Sequence, residues 1–352
     1  MTPCEWDGVS FFSEGLASVE KDGKWGHIDT TGKLVIPCEW NSVSFFSEGL
    51  ASVEKDGKWG YIDTTGKLVI PCEWDEVRSF NKGFARVEKD GKWGCIDITG
   101  KLVVPCKWDW VLDAYFSEGF ARVKEDEKYG YVDTAGRLAI LYEWDDAEDF
   151  DKGFARVKKE EKWGYIDTTG KLVIPCEWDD ASYFYEGFAR VKKEEKWGYI
   201  DTTGKLVIPC EWDDSNLFFY NGLASVKKDG KWGFVDTTGK LVLPCEWDGV
   251  SAFDNDLVWV KKDRKWGCID TTGKLVVPCE LDRMYYGEFD GLLNNGLALV
   301  WKDGKWGCID ATGKFVAPCD CSYSKLVLTG AHVFALRDSY LTIYNLDGKR
   351  VF

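Results

Sequence analysis

The groups in this 352-residue chain that could do chemistry are two histidines, thirteen cysteines and sixty carboxylates. A general base, a metal site and a paired-carboxylate hydrolase would each draw on one of these sets. His27 stands in a column otherwise held by Tyr61, Cys95, Tyr131, Tyr165, Tyr199, Phe234, Cys268 and Cys308. That is a packing position, not a catalytic one. His332 lies in the last, degenerate segment, aligned with the alanine of a Leu-Ala-Ser-Val stretch. Cys319-Asp320-Cys321 is the one tight cysteine pair and lacks further ligands at zinc spacing. Asp29, Asp63, Asp97, Asp167 and Asp201 recur at one place before a turn. A catalytic pair breaks symmetry, whereas a turn-stabilising aspartate recurs, its side chain accepting nearby backbone N–H groups. No nucleophile elbow, P-loop or dinucleotide fingerprint is present. The expectation is a non-enzyme without catalytic residues, cofactor or metal. A hydrolase with a carboxylate site is the remaining catalytic alternative.

Composition narrows the partners. The formal charge is −15 and the pI about 4.8. Nucleic acid and anionic membrane surfaces are recognised through clustered Lys and Arg, so neither is expected. No apolar run approaches the ~20 residues of a spanning helix, and membrane insertion is not expected. Cys4, Cys38, Cys72, Cys106, Cys176, Cys210, Cys245, Cys279 and Cys319 share one position. A disulfide framework uses paired, irregular spacings. One cysteine at a fixed site reads as a small buried hydrophobe in a reducing, cytoplasmic setting, with disulfides between neighbouring repeats as the alternative. Thr2-Pro3-Cys4-Glu5-Trp6 aligns with Ile36-Pro37-Cys38-Glu39-Trp40, so Met1 falls inside a repeat. Either the domain begins there or a segment precedes it.

What must position these residues is a repeat of about 34 residues. Trp-Gly recurs at Trp25, Trp59, Trp93, Trp163, Trp197, Trp232, Trp266 and Trp306, with Tyr129-Gly130 once. Cutting before each Pro-Cys cysteine gives nine repeats over 1–318 and a degenerate, capping tenth over 319–352, all one repeat domain. In the third unit Phe84–Glu88 reads as a strand and Asp90-Gly91 as a type I′ hairpin turn. Trp93–Asp97 is the next strand, and Ile98-Thr99-Gly100 turns the chain. Leu102–Val104 follows, ending, bulging or lying at an edge at Pro105. The stretch from Trp74 to Phe80 supplies a fourth, short strand. Alternation puts Trp93, Cys95 and Asp97 on one face, and Gly94 and Ile96 on the other. The simplest arrangement stacks the units so that the Trp of one fills the Gly notch of the next, which makes Gly94→Val about as damaging as Trp93→Ala. The fold class expected is all-β, with tandem three- to four-stranded antiparallel units closing into a β-propeller-like ring. An open β-superhelix is the rival.

Lys24-Trp25-Gly26-His27-Ile28-Asp29, Thr31-Gly32-Lys33-Leu34-Val35-Ile36-Pro37 and Phe46-Ser47-Glu48-Gly49-Leu50-Ala51 together resemble the WG-repeat (KWG) family over nearly the whole chain. The resemblance implies a bacterial β-rich array without assigned activity and supplies no catalytic residues. A binding or scaffold module for a protein partner is therefore the first functional expectation. The second is a carbohydrate-binding module using the Glu-Trp-Asp aromatics, since Trp flanked by carboxylates suits sugar or peptide. The candidate ligand surface is Trp40, Trp74, Trp178, Trp212 and Trp247, joined by Tyr285, Tyr286 and Phe289 in an insertion of the ninth unit, because loops on a rigid scaffold carry recognition.

Overall fold

The computed structural model describes residues 6–112, 116–254, 257–285, 297–310, 312–319, 325–329, 332–337 and 340–345. It is all-β, with antiparallel pairing throughout and no helix among the described residues. The chain resolves into two compact units, Met1–Tyr183 and Phe184–Phe352. In the first, four-stranded sheets follow one another in chain order over 8–40, 42–74, 76–108, 110–144 and 146–178. In the second, the strands Phe188–Lys193, Lys196–Asp201 and Leu206–Trp212 precede four-stranded sheets over 214–247, 249–281 and 283–317. A three-stranded sheet of Lys325–Thr329, His332–Arg337 and Tyr340–Asn345 follows, in the segment expected to be a degenerate repeat.

One repeat shows how the sequence makes a sheet. Glu76–Val77, Phe84–Lys89, Lys92–Asp97 and Leu102–Trp108 are adjacent in that order. Asp90 and Gly91 both have positive φ, 55° and 74°, as a type I′ turn requires. Where the tip reads Glu160-Glu161 instead, two non-glycine residues hold φ of 51° and 66°. A side chain in the left-handed region costs roughly 1–2 kcal/mol. Glu161→Gly should therefore raise stability by about 1 kcal/mol, read as a higher urea midpoint, even though it removes the exposed Lys158–Glu161 ion pair.

Of the alternatives open at Pro105, the structure shows a bulge in an edge strand. The strand runs on to Trp108. Trp93 pairs with Trp108, Cys95 with Val104 and Ile96 with Leu102, so Pro105 and Cys106 lie inside a bulge. A bulge is where a strand tolerates proline, because no ladder N–H is needed there.

The bulge also explains the Trp-Gly glycine. A Cβ on Gly60 would lie 2.4 Å from the Ile70 carbonyl and 2.7 Å from the Cys72 nitrogen. Gly94 faces the Val104 carbonyl and Cys106 Sγ in the same way. The notch is thus closed by the Pro-Cys bulge of its own repeat, and not by a tryptophan from the next. A large-into-small fit between repeats does exist, at other residues. Ile36 sits at the Gly66 turn and Ile70 at the Gly100 turn, 3.3 and 3.1 Å from where a Cβ would be.

Neighbouring sheets within a unit share their cores. Leu50, Tyr61 and Ile70 of one sheet pack with Val77, Phe80, Ala85, Val87 and Ile96 of the next. Polar clasps reinforce the seam. The Ser13 hydroxyl donates to the Phe46 carbonyl, and the Ser47 hydroxyl to the Phe80 carbonyl, both at 2.9 Å. The Glu14 carboxylate accepts from the Glu48 and Gly49 N–H groups at 2.9 and 3.0 Å. Consecutive positive-φ residues form a nest of donors that suits an anion.

Candidate binding surface

The Glu-Trp-Asp column was the strongest sequence candidate, and the structure turns it inward. Trp40, Trp74, Trp178, Trp212 and Trp247 are only 4–8% exposed. The next sheet causes this: Trp74, the cross-strand partner of the Trp-Gly residue Trp59, packs in one core with Val77, Phe80 and Ala85. Lys55, Lys89, Lys228 and Lys262 of the hairpin tips lie over Trp40, Trp74, Trp212 and Trp247 at 5.2–5.7 Å. The platform on which a sugar ring would stack is therefore covered. Tyr285 ends the strand Arg283–Tyr285 opposite Leu299, and Tyr286 and Phe289 lie outside the described residues.

The aspartate that follows this tryptophan is structural too. Asp75 accepts from Lys58 and from the Asp90 N–H, the latter at 2.8 Å. Lys58 beside it, then the Asp90 amide, hold its carboxyl below the usual range. The turn aspartates behave as expected from their recurrence. Asp63 accepts from the Thr65 and Lys67 N–H groups at 2.9 and 3.1 Å and from the Thr65 hydroxyl. The Thr65 hydroxyl is the largest cause of its lowered pKa.

The described repeat cysteines, Cys38 to Cys319, are free thiols, as expected, but half-buried and not fully buried. Cys72 Sγ reaches back over the glycine notch to the Val53 carbonyl at 3.8 Å, and Val53 is the cross-strand partner of Gly60. Among the described residues no group of His, Cys, Asp and Glu is placed to hold a metal ion. Cys321 and the side chain of His332 lie outside those residues. No helix is long and apolar enough to cross a membrane among the described residues.

His27 is a core residue at 1% exposure. Its ring meets Phe46 edge-on at 4.9 Å and its Nε2 lies 3.3 Å from the Ser18 hydroxyl. Burial lowers its pKa from 6.5 to about 4. The unfolded chain takes up a proton below about pH 6.5 that the fold refuses until about pH 4, so stability falls as pH drops through that window. His27→Phe, which places there the residue found at Phe234, should remove roughly 1–2 kcal/mol of the stability lost between pH 7.5 and pH 5. Thermal melts of both proteins at the two pH values measure it.

What does face solvent is a set of aromatics just before a buried phenylalanine. In the first unit Phe11 is 87% and Phe45 51% exposed, while the next residue after Phe45, Phe46, is buried. Tyr183 occupies the same column and is exposed. In the second unit Tyr185, Leu217, Phe218 and Tyr220 are all exposed. The Tyr185 and Phe218 rings lie 4.7 Å apart, at the edge of a cavity of about 440 Å³. Sequence reasoning missed this patch because it followed the constant columns. The signal was variation: Phe11, Phe45, Ser79, Asp149, Tyr183 and Phe218 share one column. Here serine and aspartate stand in for phenylalanine, and Phe11, Phe45, Ser79, Tyr183 and Phe218 all face solvent.

The model of the WG containing repeat matches ten consecutive segments, 1–25, 25–59, 59–93, 93–129, 129–163, 163–197, 197–232, 232–266, 266–306 and 306–323. The chain belongs to the WG-repeat family. The structure adds what the family motif is for: in this WG-repeat protein glycine makes room for the Pro-Cys bulge, and the Trp-Gly tryptophan pairs across strands with the Glu-Trp-Asp tryptophan. No curated protein matches it in sequence. Among solved structures it is similar to a eukaryotic initiation factor at 12% identity and TM-score 0.37, over 86% of this chain and 94% of that one. It is also similar to the WD40 β-propeller domain of Doa1 at 13% identity and TM-score 0.25, over 72% and 88%. Likenesses this low carry no argument about function.

Proposed function

We propose that this WG-repeat chain is a non-catalytic binding module that scaffolds a protein partner. The observation that supports this reading is a division of labour among its residues. The Glu-Trp-Asp tryptophans are buried in seams, and the repeated aspartates are bonded into seams and turns. The exposed aromatics lie where repeats differ from one another. Clustered aromatic exposure on a rigid scaffold is how protein interfaces gain their anchors. The carbohydrate reading has lost the tryptophans it stood on. The turn aspartates hold turn donors through Oδ1, and the seam aspartates hold seam donors through both oxygens, so both columns serve to build the repeat.

The test is capture by the immobilised chain from cell extract, run beside a Tyr185→Ser/Phe218→Ser variant. The expected result is one or a few proteins held by the native chain and lost from the variant. A glycan array that lights up, beside extract proteins that ignore the substitutions, would overturn the reading.

A further inference from the structure

Within the second unit one repeat lacks a side chain that the four repeats before it possess; like the first two repeats, with Ser18 and Ser52, it carries a serine there. Arg86, Arg122, Arg156 and Arg190 share a column on the first hairpin strand and reach across the seam into the next repeat. Arg86 Nη1 donates to the Val111 carbonyl at 3.1 Å, and Arg122 and Arg156 donate to the Ala147 and Ala181 carbonyls. Arg190 donates to the Ser215 hydroxyl and to Asp214, each at 2.8 Å. Their guanidinium groups also lie on aromatic faces: Arg86 at 5.1 Å from Trp110, Arg156 at 5.0 Å from Trp163, Arg190 at 3.3 Å from Trp197. In the following repeat the column holds Ser225, and in the two repeats after that it is filled again by Trp259 and Leu299.

The consequence is a slot. Ser225 is 2% exposed, and its hydroxyl has no hydrogen-bond partner. Ser18, in the same column, reaches its cross-strand neighbour His27; the neighbour of Ser225 is Phe234, which offers no polar atom. Ser225 lines the cavity of about 440 Å³, together with Val250, Phe219 and the exposed Phe218, Tyr220 and Tyr185. Val250 pairs with Val260 as Val111 pairs with Val123. Its carbonyl is therefore the counterpart of the one that receives Arg86, and among the described residues no side chain donates to it.

We propose that this slot binds an arginine side chain of a partner polypeptide, in the place where the four repeats before it supply their own. The inference rests on the binding-module reading and names the chemistry of the partner. A guanidinium is planar, weakly hydrated and able to stack on aromatic rings while donating to a carbonyl and a hydroxyl. The slot offers those two acceptors and an aromatic rim, and the chain's −15 charge draws a cation toward it. A lysine ammonium fits less well, being strongly hydrated and unable to stack.

The experiment is saturation-transfer NMR on the full chain with N-acetylarginine amide, against the citrulline and lysine amides. The expected result is saturable binding of the arginine compound at roughly millimolar concentration, several-fold weaker binding of lysine and none of citrulline. Ser225→Arg refills the slot, so it should abolish that binding and raise Tm by about 2–4 °C. Ser225→Leu, using the residue the column carries at Leu299, serves the same purpose should the arginine variant fail to fold. Ser225→Ala should weaken binding by threefold or more. Equal signals from arginine and citrulline, or binding that survives Ser225→Arg or Ser225→Leu, overturns the proposal. A partner protein captured from extract and still held by the filled variant removes the slot and leaves the binding-module reading intact. Arginine binding without any captured protein keeps the slot and removes that reading.

Discussion

Gly60→Val is expected to cost at least about 4 kcal/mol and to unfold the first unit locally or wholly at room temperature. The figure lies at the upper end of single-substitution effects, and the geometry puts it there. The new Cβ would stand 2.4 Å from a backbone carbonyl and 2.7 Å from a backbone nitrogen, both in the Pro71-Cys72 bulge. Neither atom can rotate away as a side-chain tip can. Moving the bulge would break the Trp59–Trp74 pairing and uncover Trp74. Gly57, at the hairpin tip of the same repeat, provides the contrast. Nothing lies within 4 Å of its would-be Cβ, and its φ is 77°. Gly57→Ala should therefore cost only the left-handed backbone strain, roughly 1–2 kcal/mol. Urea unfolding followed by circular dichroism orders the two variants. A Gly60→Val protein as stable as Gly57→Ala would show that the bulge yields.

Trp74→Ala carries the second-largest expected loss, about 3–5 kcal/mol. Its indole is 5% exposed and packs with Tyr61, Ile70, Val77 and Phe80 across the seam between two sheets. Its removal opens a cavity that both sheets line. Trp59→Ala should cost less, about 1–3 kcal/mol, because that indole is only half-buried. Trp93 departs from this rule for its column. It is 5% exposed because Trp110 packs on it at 4.9 Å and Arg78 lies over it at 5.4 Å. Trp93→Ala belongs with Trp74→Ala. The sequence expectation that Gly94→Val and Trp93→Ala are comparable thus stands on different ground: a steric clash within one repeat and a lost aromatic cluster, not two halves of one contact. Hydrogen exchange resolves such losses better than a single melting point, because repeat arrays open in parts.

The sequence reached the repeat, the strands and the hairpin turns because these are set locally. Asp90-Gly91 can adopt the two left-handed conformations the tip needs, and alternation fixes which residues share a face. The role of the turn aspartates was equally legible, since Asp63 bonds residues only two and four positions away. Repetition also carried functional information, because residues bound to the architecture recur and those free of it drift. That is why Phe218, in a column that does not hold one residue type, and Ser225, where the arginine of the four repeats before it is missing, mark the candidate site, while the tryptophans that recur do not.

The amino-acid sequence alone determined an all-β array of Trp-Gly units with tight turns, a structural His27 and a net charge of −15. Only the tertiary structure decided which aromatics are covered and which are open. The two extra residues at Pro-Cys keep Ile70 and Trp74 on one face, as alternation requires, but alternation along a strand carries no information about which neighbour covers that face; the next sheet and the Lys89 side chain do so only once the chain has folded. The empty place at Ser225 is likewise invisible along the chain, for it exists only because the arginines of earlier repeats cross a seam that folding creates.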